Sequence, residues 1–179
     1  MTTDEASRTF GGLWARAIPM PLFDRMCAHF QISKEKIIDM MACCQSKRTP
    51  RFVSRLPDIQ NLWTDAFNPT YPWDHSRNQH LSEEDVLCCF PPPKVLDRVL
   101  DRMESTSNYV LLVARFDSRL PARLLQSQQG FPPLTFGVEI ADMVAPEGPA
   151  APTLSGERMT LLASLFCPQS SSLREGTMR

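Results

Sequence analysis

Glycine is scarce in this sequence, with 7 residues in 179 against 16 prolines. That imbalance leaves few flexible turns and predicts many rigid, extended connections. Long apolar runs are missing too. None reaches the ~18 residues that a membrane-spanning helix needs, which excludes an integral helical membrane protein. Residues 1–8 are polar, carry Asp4 and Glu5, and hold no apolar stretch of the secretory type. The expectation is an intracellular chain, nuclear or cytoplasmic, without membrane association. Neither sign of charge prevails: 19 Lys and Arg against 20 Asp and Glu give a formal net charge of −1. A histone-like binder held by charge alone is thereby excluded, whereas a local basic groove is not. C-x-x-C spacing is absent as well. The cysteines stand at Cys27, Cys43, Cys44, Cys88, Cys89 and Cys167, and two adjacent pairs make no zinc half-site. Free thiols and no metal are expected. His29, His75 and His80 accompany no Ser or Cys at a recognisable nucleophile elbow, which argues against a hydrolase triad.

What is present suits one globular domain. Apolar residues make up 42% and charged residues 22%, enough to build a core. Residues 1–18 read as a loose arm and residues 167–179 as a disordered tail, leaving 19–166 as the domain. Pro21 opens a helix whose Leu22, Phe23, Met26 and Phe30 form one stripe. Ile37–Met41, Asp85–Phe90 and Tyr109–Ala114 are continuous apolar runs of the kind buried on both faces of a parallel sheet. Phe52 and Val53 suggest a shorter strand, and 134–140 and 159–166 two later ones. Between Pro93 and Met103, apolar Val95, Leu96, Val99, Leu100 and Met103 oppose charged Lys94, Asp97, Arg98, Asp101 and Arg102, an amphipathic helix. A further short helix is expected over 120–126. Strand and helix in alternation predict an α/β domain, a mostly parallel sheet of about five to seven strands flanked by helices. The three long apolar runs should lie adjacent at its centre.

The most informative short stretch is Phe90-Pro91-Pro92-Pro93, directly after a buried strand. A rigid proline loop there faces the crevice in which open α/β sheets bind ligands. A stiff strand-to-helix connection is its plain alternative. Around it, in order, stand Pro21-Leu22-Phe23, Ile38-Asp39-Met40-Met41-Ala42, Pro50-Arg51-Phe52-Val53-Ser54, Asp65-Ala66-Phe67, Trp73, Val95-Leu96-Asp97-Arg98-Val99-Leu100 and Val110–Ala114. This series resembles the Dam-like, phage-type adenine-N6 DNA methyltransferase family over residues 19–126. It is closest to the Dam-like domain that follows RNase H in tyrosine-recombinase retrotransposons. The resemblance implies a Rossmann-like methyltransferase fold, with Asp39 and Asp65 at the S-adenosylmethionine site and Pro91 and Pro92 in the catalytic loop. Read without it, Asp39 is a strand-end carboxylate capping a nearby loop and Asp65 a local turn former.

Departures from the family pattern decide the activity expected. Where the family carries an Asp or Asn that accepts hydrogen bonds from the target amino group, this chain has Phe90. Where it carries a stacking aromatic, this chain has Pro93. No glycine-rich turn follows Asp39, and Ala42-Cys43-Cys44 is expected to crowd a nucleoside-bearing cofactor. The implied reading is a catalytically inactive methyltransferase-like domain with no cofactor, working as a nucleic-acid-associated binding or scaffold subunit of a larger assembly. An active S-adenosylmethionine-dependent adenine-N6 methyltransferase and a pure protein–protein interaction subunit are the alternatives. For nucleic acid, the candidates are Lys47, Arg48, Arg51, Phe52 and Arg55, a basic loop beside an aromatic. A merely solvated loop is the competing account. For a protein partner the candidates are Trp63, Phe67, Tyr71 and Trp73, which equally suit packing over a sheet edge.

Overall fold

The computed structural model describes residues 17–44, 46–116, 131–143 and 157–167. The three continuous apolar runs become neighbouring parallel strands, because a strand buried on both faces has to lie inside the sheet. They are β1 (Ile37–Ala42), β3 (Val86–Cys89) and β4 (Tyr109–Arg115). Ile37 pairs with Val86 and Val86 with Tyr109, all in parallel register. On the outer side of β1 lies β2 (Phe52–Ser54), also parallel, with the register shifting between Asp39 and Ala42. On the other side of β4 comes β6 (Arg158–Phe166), antiparallel, and beyond it β5 (Leu134–Glu139), antiparallel to β6. The sheet order is β2-β1-β3-β4-β6-β5, a six-stranded, mostly parallel α/β sheet.

Side-chain alternation divides the core into two layers. One layer holds Ile37, Val86, Cys88, Leu111, Val113 and Leu161, covered by Phe23, Met26 and Phe30 of helix α1 (Met20–His29) and the residue after it. The opposite layer holds Ile38, Met40, Leu87, Cys89, Val110 and Leu112, covered by Val99 and Leu100 of helix α2 (Leu96–Met103). Cys88 and Cys89 therefore face opposite sides of the sheet. Pro21 sits in the first turn of α1, where its missing N–H is harmless. The chain then leaves α1 through Gln31 at φ 55°, a left-handed turn.

Only one parallel crossover follows the expected strand–helix–strand pattern, the one through α2. Parallel strands usually need a helix between them. Here β1 reaches β2 by the turn at 43–51, and β2 reaches β3 by a long loop over 55–85. Asn and Asp side chains fold that loop by accepting backbone N–H groups two residues on: Asp65 from Phe67, Asn68 from Thr70, Asp74 from Ser76 and Asn78 from His80. Trp73 is fully buried and donates its Nε1–H to the Ala66 carbonyl at 2.8 Å. Asn108 ties the loop down, donating to the Ser82 and Asp85 carbonyls and accepting from the His75 N–H.

Ala17 and Ile18, assigned by sequence to the loose arm, are buried, and Ala17 N–H donates to the Met143 carbonyl at 2.8 Å. The domain thus begins at least two residues earlier than expected. The helix expected over 120–126, the rest of the arm and the tail from residue 168 lie outside the described residues. Among the described residues, no helix is long and apolar enough to cross a membrane.

Candidate functional site

A cavity of about 370 Å³ opens at the carboxyl ends of β1 and β3. This is where open α/β sheets place their ligands, because the strand-to-helix loops diverge there. β1 contributes Asp39 and Met41, and the turn after it contributes Ser46 and Arg48. β3 contributes Cys88, and the segment that follows contributes Phe90, Pro91, Pro92 and Pro93. Ile18 and Phe23 close one wall. Arg115 at the end of β4, Met143 and Met159 close another.

Asp39 is the sole carboxylate among those lining residues. One of its oxygens accepts the backbone N–H of Arg48 at 3.1 Å, so it caps the following turn. Burial pushes its carboxyl up to about 6, against the opposing pull of the Arg48 and Met41 backbone N–H groups and the Arg48 charge. The Arg48 guanidinium is itself partly desolvated, which lowers its affinity for its proton. Its Nε is buried and has no hydrogen-bond partner among the described residues. The cavity thus sets a half-buried guanidinium beside a carboxyl of raised pKa, while the other buried donor without a partner among the described residues, Trp63 Nε1, lies outside it.

Six of the residues singled out by sequence meet here: Asp39, Arg48, Phe90, Pro91, Pro92 and Pro93. The other candidates do not. Asp65 is exposed, sits outside the cavity in a left-handed conformation at φ 67°, and serves its own turn. Arg51 is committed inward, with its two terminal nitrogens 2.7 and 2.9 Å from the Asp85 carboxylate and one also donating to the His80 carbonyl. That ion pair holds the Asp85 carboxyl below the usual range. Phe52 is fully buried on β2, which leaves no ring face open for a base to stack on. Lys47 lies over that ring, 4.9 Å from its centroid, and donates to Gln60. Arg55 is exposed.

The aromatic cluster is likewise turned inward. Trp63 and Trp73 are buried; Trp63 stacks on Tyr71 at 5.5 Å and Trp73 on Phe67 at 6.2 Å. Arg98 lies against Phe67 as well, 4.1 Å from its centroid. Of these four aromatics, only Phe67 and Tyr71 remain partly exposed. Cys43 and Cys44, expected to crowd the cavity, do not line it: Cys43 pairs with Ser46, and Cys44 turns out to Asp58. The space after β1 is shaped by Ser46 and Arg48 instead.

Arg115, Cys88, Met143 and Met159 are site residues that the sequence does not announce. They arrive from strands and turns far apart in the chain, with no shared spacing. Arg115 alone carries a usable signal, the first charge after the longest apolar run. A Ser/His/Asp grouping is equally silent in the sequence. Ser107 Oγ lies 2.6 Å from Asp74 Oδ1 and 2.9 Å from His75 Nδ1. Its wiring is unlike a hydrolase triad, since the aspartate accepts from the serine rather than orienting the histidine. Asp74 also accepts from Ser76 and Arg77, and these donors hold its carboxyl far below the usual range. The group is a loop clasp. Among the described residues, no three His, Cys, Asp or Glu side chains are grouped to hold a metal. Neither a protein-family model nor a curated protein matches this chain.

Proposed function

We propose that this chain is a methyltransferase-type domain that has lost amino-group methyl transfer and acts by binding, as a nucleic-acid-associated scaffold subunit of a larger assembly. The sheet order supports the ancestry. The six-stranded sheet is mostly parallel, with β1, β3 and β4 adjacent, as the resemblance implies for an open α/β domain. The Phe90–Pro93 segment at the cavity wall, after β3, supports it further.

One observation carries the loss of chemistry. On the resemblance, Phe90 stands where the family has the acceptor for the target amino group, and its ring packs against the core layer under α1. An apolar ring offers no lone pair to a developing positive charge, a deficit worth several kcal/mol of transition-state stabilisation by analogy with other preorganised sites. S-adenosylmethionine fits the cavity poorly as well. Its ammonium, sulfonium and ribose hydroxyls call for several acceptors, and the lining supplies one carboxylate, already engaged by backbone N–H groups. Asp65 does not line the cavity and serves its own turn.

Isothermal titration with S-adenosylmethionine and a methyl-transfer assay on adenine-containing DNA test the reading. No micromolar binding and no transfer are expected; either signal would restore the enzyme. For nucleic acid, the accessible cations are the ones to change: Lys47, Arg55 and Arg115 to Ala. Binding of a labelled oligonucleotide should weaken regardless of sequence, with the salt slope falling by about 1 for each phosphate left without its cation. Exposed Leu56 and Ile59 favour a second reading, a protein-binding loop; Ile59 is 100% exposed. Under that reading Ile59→Ser would abolish partner capture while the cation changes would leave it intact.

A further inference from the structure

The cavity at the ends of β1 and β3 has an apolar body and a lopsided charge. Phe23, Phe90, Met143 and Met159 build much of the body, and thioethers adapt readily to an irregular ligand. Against the one carboxyl of Asp39 stand two arginines, Arg48 and Arg115. The buried Nε–H of Arg48 has no acceptor among the described residues. The guanidinium as a whole is only half-buried and lines the cavity, so an anion there meets its charge directly.

We propose that this cavity binds a small apolar monocarboxylate, whose head accepts a hydrogen bond from Arg48 and whose body lies against Phe23, Phe90, Met143 and Met159. The inference rests on the reading of this cavity as a binding site and needs no nucleic acid. Its volume of about 370 Å³ falls at the lower end of cavities that enclose drug-sized ligands. The excess of cations selects an anion over a neutral molecule of the same shape. Asp39 on the same wall selects a single negative charge, because a second would face it. A guanidinium is the group best suited to a planar carboxylate.

Asp39 also makes the binding pH-dependent. Facing it are the Arg48 guanidinium, the backbone N–H groups of Met41 and Arg48, and the Cys88 thiol of β3, with Lys94 and Arg115 in the same lining and the Cys89 thiol on the other side of the sheet. Ionised, Asp39 repels the bound head; protonated, it is neutral. Affinity therefore rises as pH falls through about 6.

The test is isothermal titration of the full chain with 2-naphthoate, with 2-naphthamide as the neutral isostere, between pH 8 and pH 5.5. The naphthoate should bind and the amide should bind about tenfold or more weakly, the ratio expected for a charged hydrogen bond. Arg48→Met should cost a similar factor. Met159→Trp, which fills the opposite wall and leaves Arg48 intact, should also abolish binding; thermal melts confirm that both variants fold. Asp39→Asn should flatten the pH dependence. Equal affinity for acid and amide, no binding of the acid, or full binding by both Arg48→Met and Met159→Trp would overturn the inference. A parallel titration with S-adenosylmethionine separates the two claims: failure of naphthoate alone removes the ligand class, and micromolar cofactor binding removes the binding-only reading beneath it.

Discussion

Two polar regions flank the same parallel strands and differ in the charge of the donor each leaves unpaired among the described residues. The loop over 55–85 pairs its buried charge and leaves one neutral donor over, Trp63 Nε1: Arg51 bonds Asp85, Asn108 has three backbone partners, Trp73 bonds Ala66, and Asp74 has two serines and Arg77. The cavity rim leaves a charged one, Arg48 Nε among the described residues, beside Asp39, whose carboxyl burial pushes up to about 6. Both regions are built from Asp, Arg and aromatic residues, so composition cannot tell them apart. The charge on the group left unpaired can. A paired network stabilises the fold, whereas an unpaired charge lining a cavity is open to something that arrives from outside.

The largest test of that contrast is to break the paired side. Asp85→Ala strands the Arg51 guanidinium and the Ser82 N–H, and urea unfolding should show a loss of about 3–5 kcal/mol. Trp73→Ala should cost a similar amount through the void it leaves. If either loses under about 1 kcal/mol, the loop is not the scaffold described.

Next comes the cavity side, where the sign reverses. The Asp39 carboxyl titrates near 6 in the folded chain against 3.8 as a free group, so the folded state holds its proton more tightly. Its contribution to stability is greatest below about pH 4 and is lost as pH rises through 6. Asp39→Asn should therefore raise stability at pH 8 by on the order of 2–3 kcal/mol, and by nothing comparable at pH 4. Asp74 has the opposite slope. Its carboxyl lies below the ordinary value, so it stabilises above about pH 4, and that contribution disappears as acid protonates it. Asp74→Asn should cost about 1–2 kcal/mol at pH 7. Two aspartates in one domain with opposite pH profiles would sharpen the comparison; matching profiles would break it. The smallest effect belongs to Lys47→Ala, expected within about 0.5 kcal/mol of the parent in urea, with its consequence confined to the salt dependence of oligonucleotide binding.

How far the residues alone reveal this arrangement depends on the range of the interaction. Continuous apolar runs locate β1, β3 and β4 and set them side by side, because burial on both faces is a local property of a sequence. The same logic places α1 and α2. The crossovers depart from the strand–helix–strand expectation, since Asp65, Asn68, Asp74 and Asn78 each fold a turn by themselves and leave no helix in the path. Within the basic segment, Arg48 and Arg51 look equivalent in sequence. Their fates differ because Asp85, brought in by β3, claims one of them and no described residue claims the Nε of the other. The far wall of the cavity, Arg115, Met143 and Met159, depends on the return of β6 across the sheet, a juxtaposition no spacing announces.

Cys88 and Cys89 turn the two sides of the sheet into a clock. Both thiols are buried and held well above their ordinary acidity range, so alkylation of either awaits an opening event. Cys88 borders the cavity, so a local fluctuation of α1 or of the Phe90–Pro93 segment suffices to expose it. Cys89 lies beneath α2 in the closed layer, and its exposure requires separation of that helix from the strands. Adjacent in the chain and identical in chemistry, the two should react at rates that report different units of unfolding. Their ratio measures how independently the cavity breathes from the core.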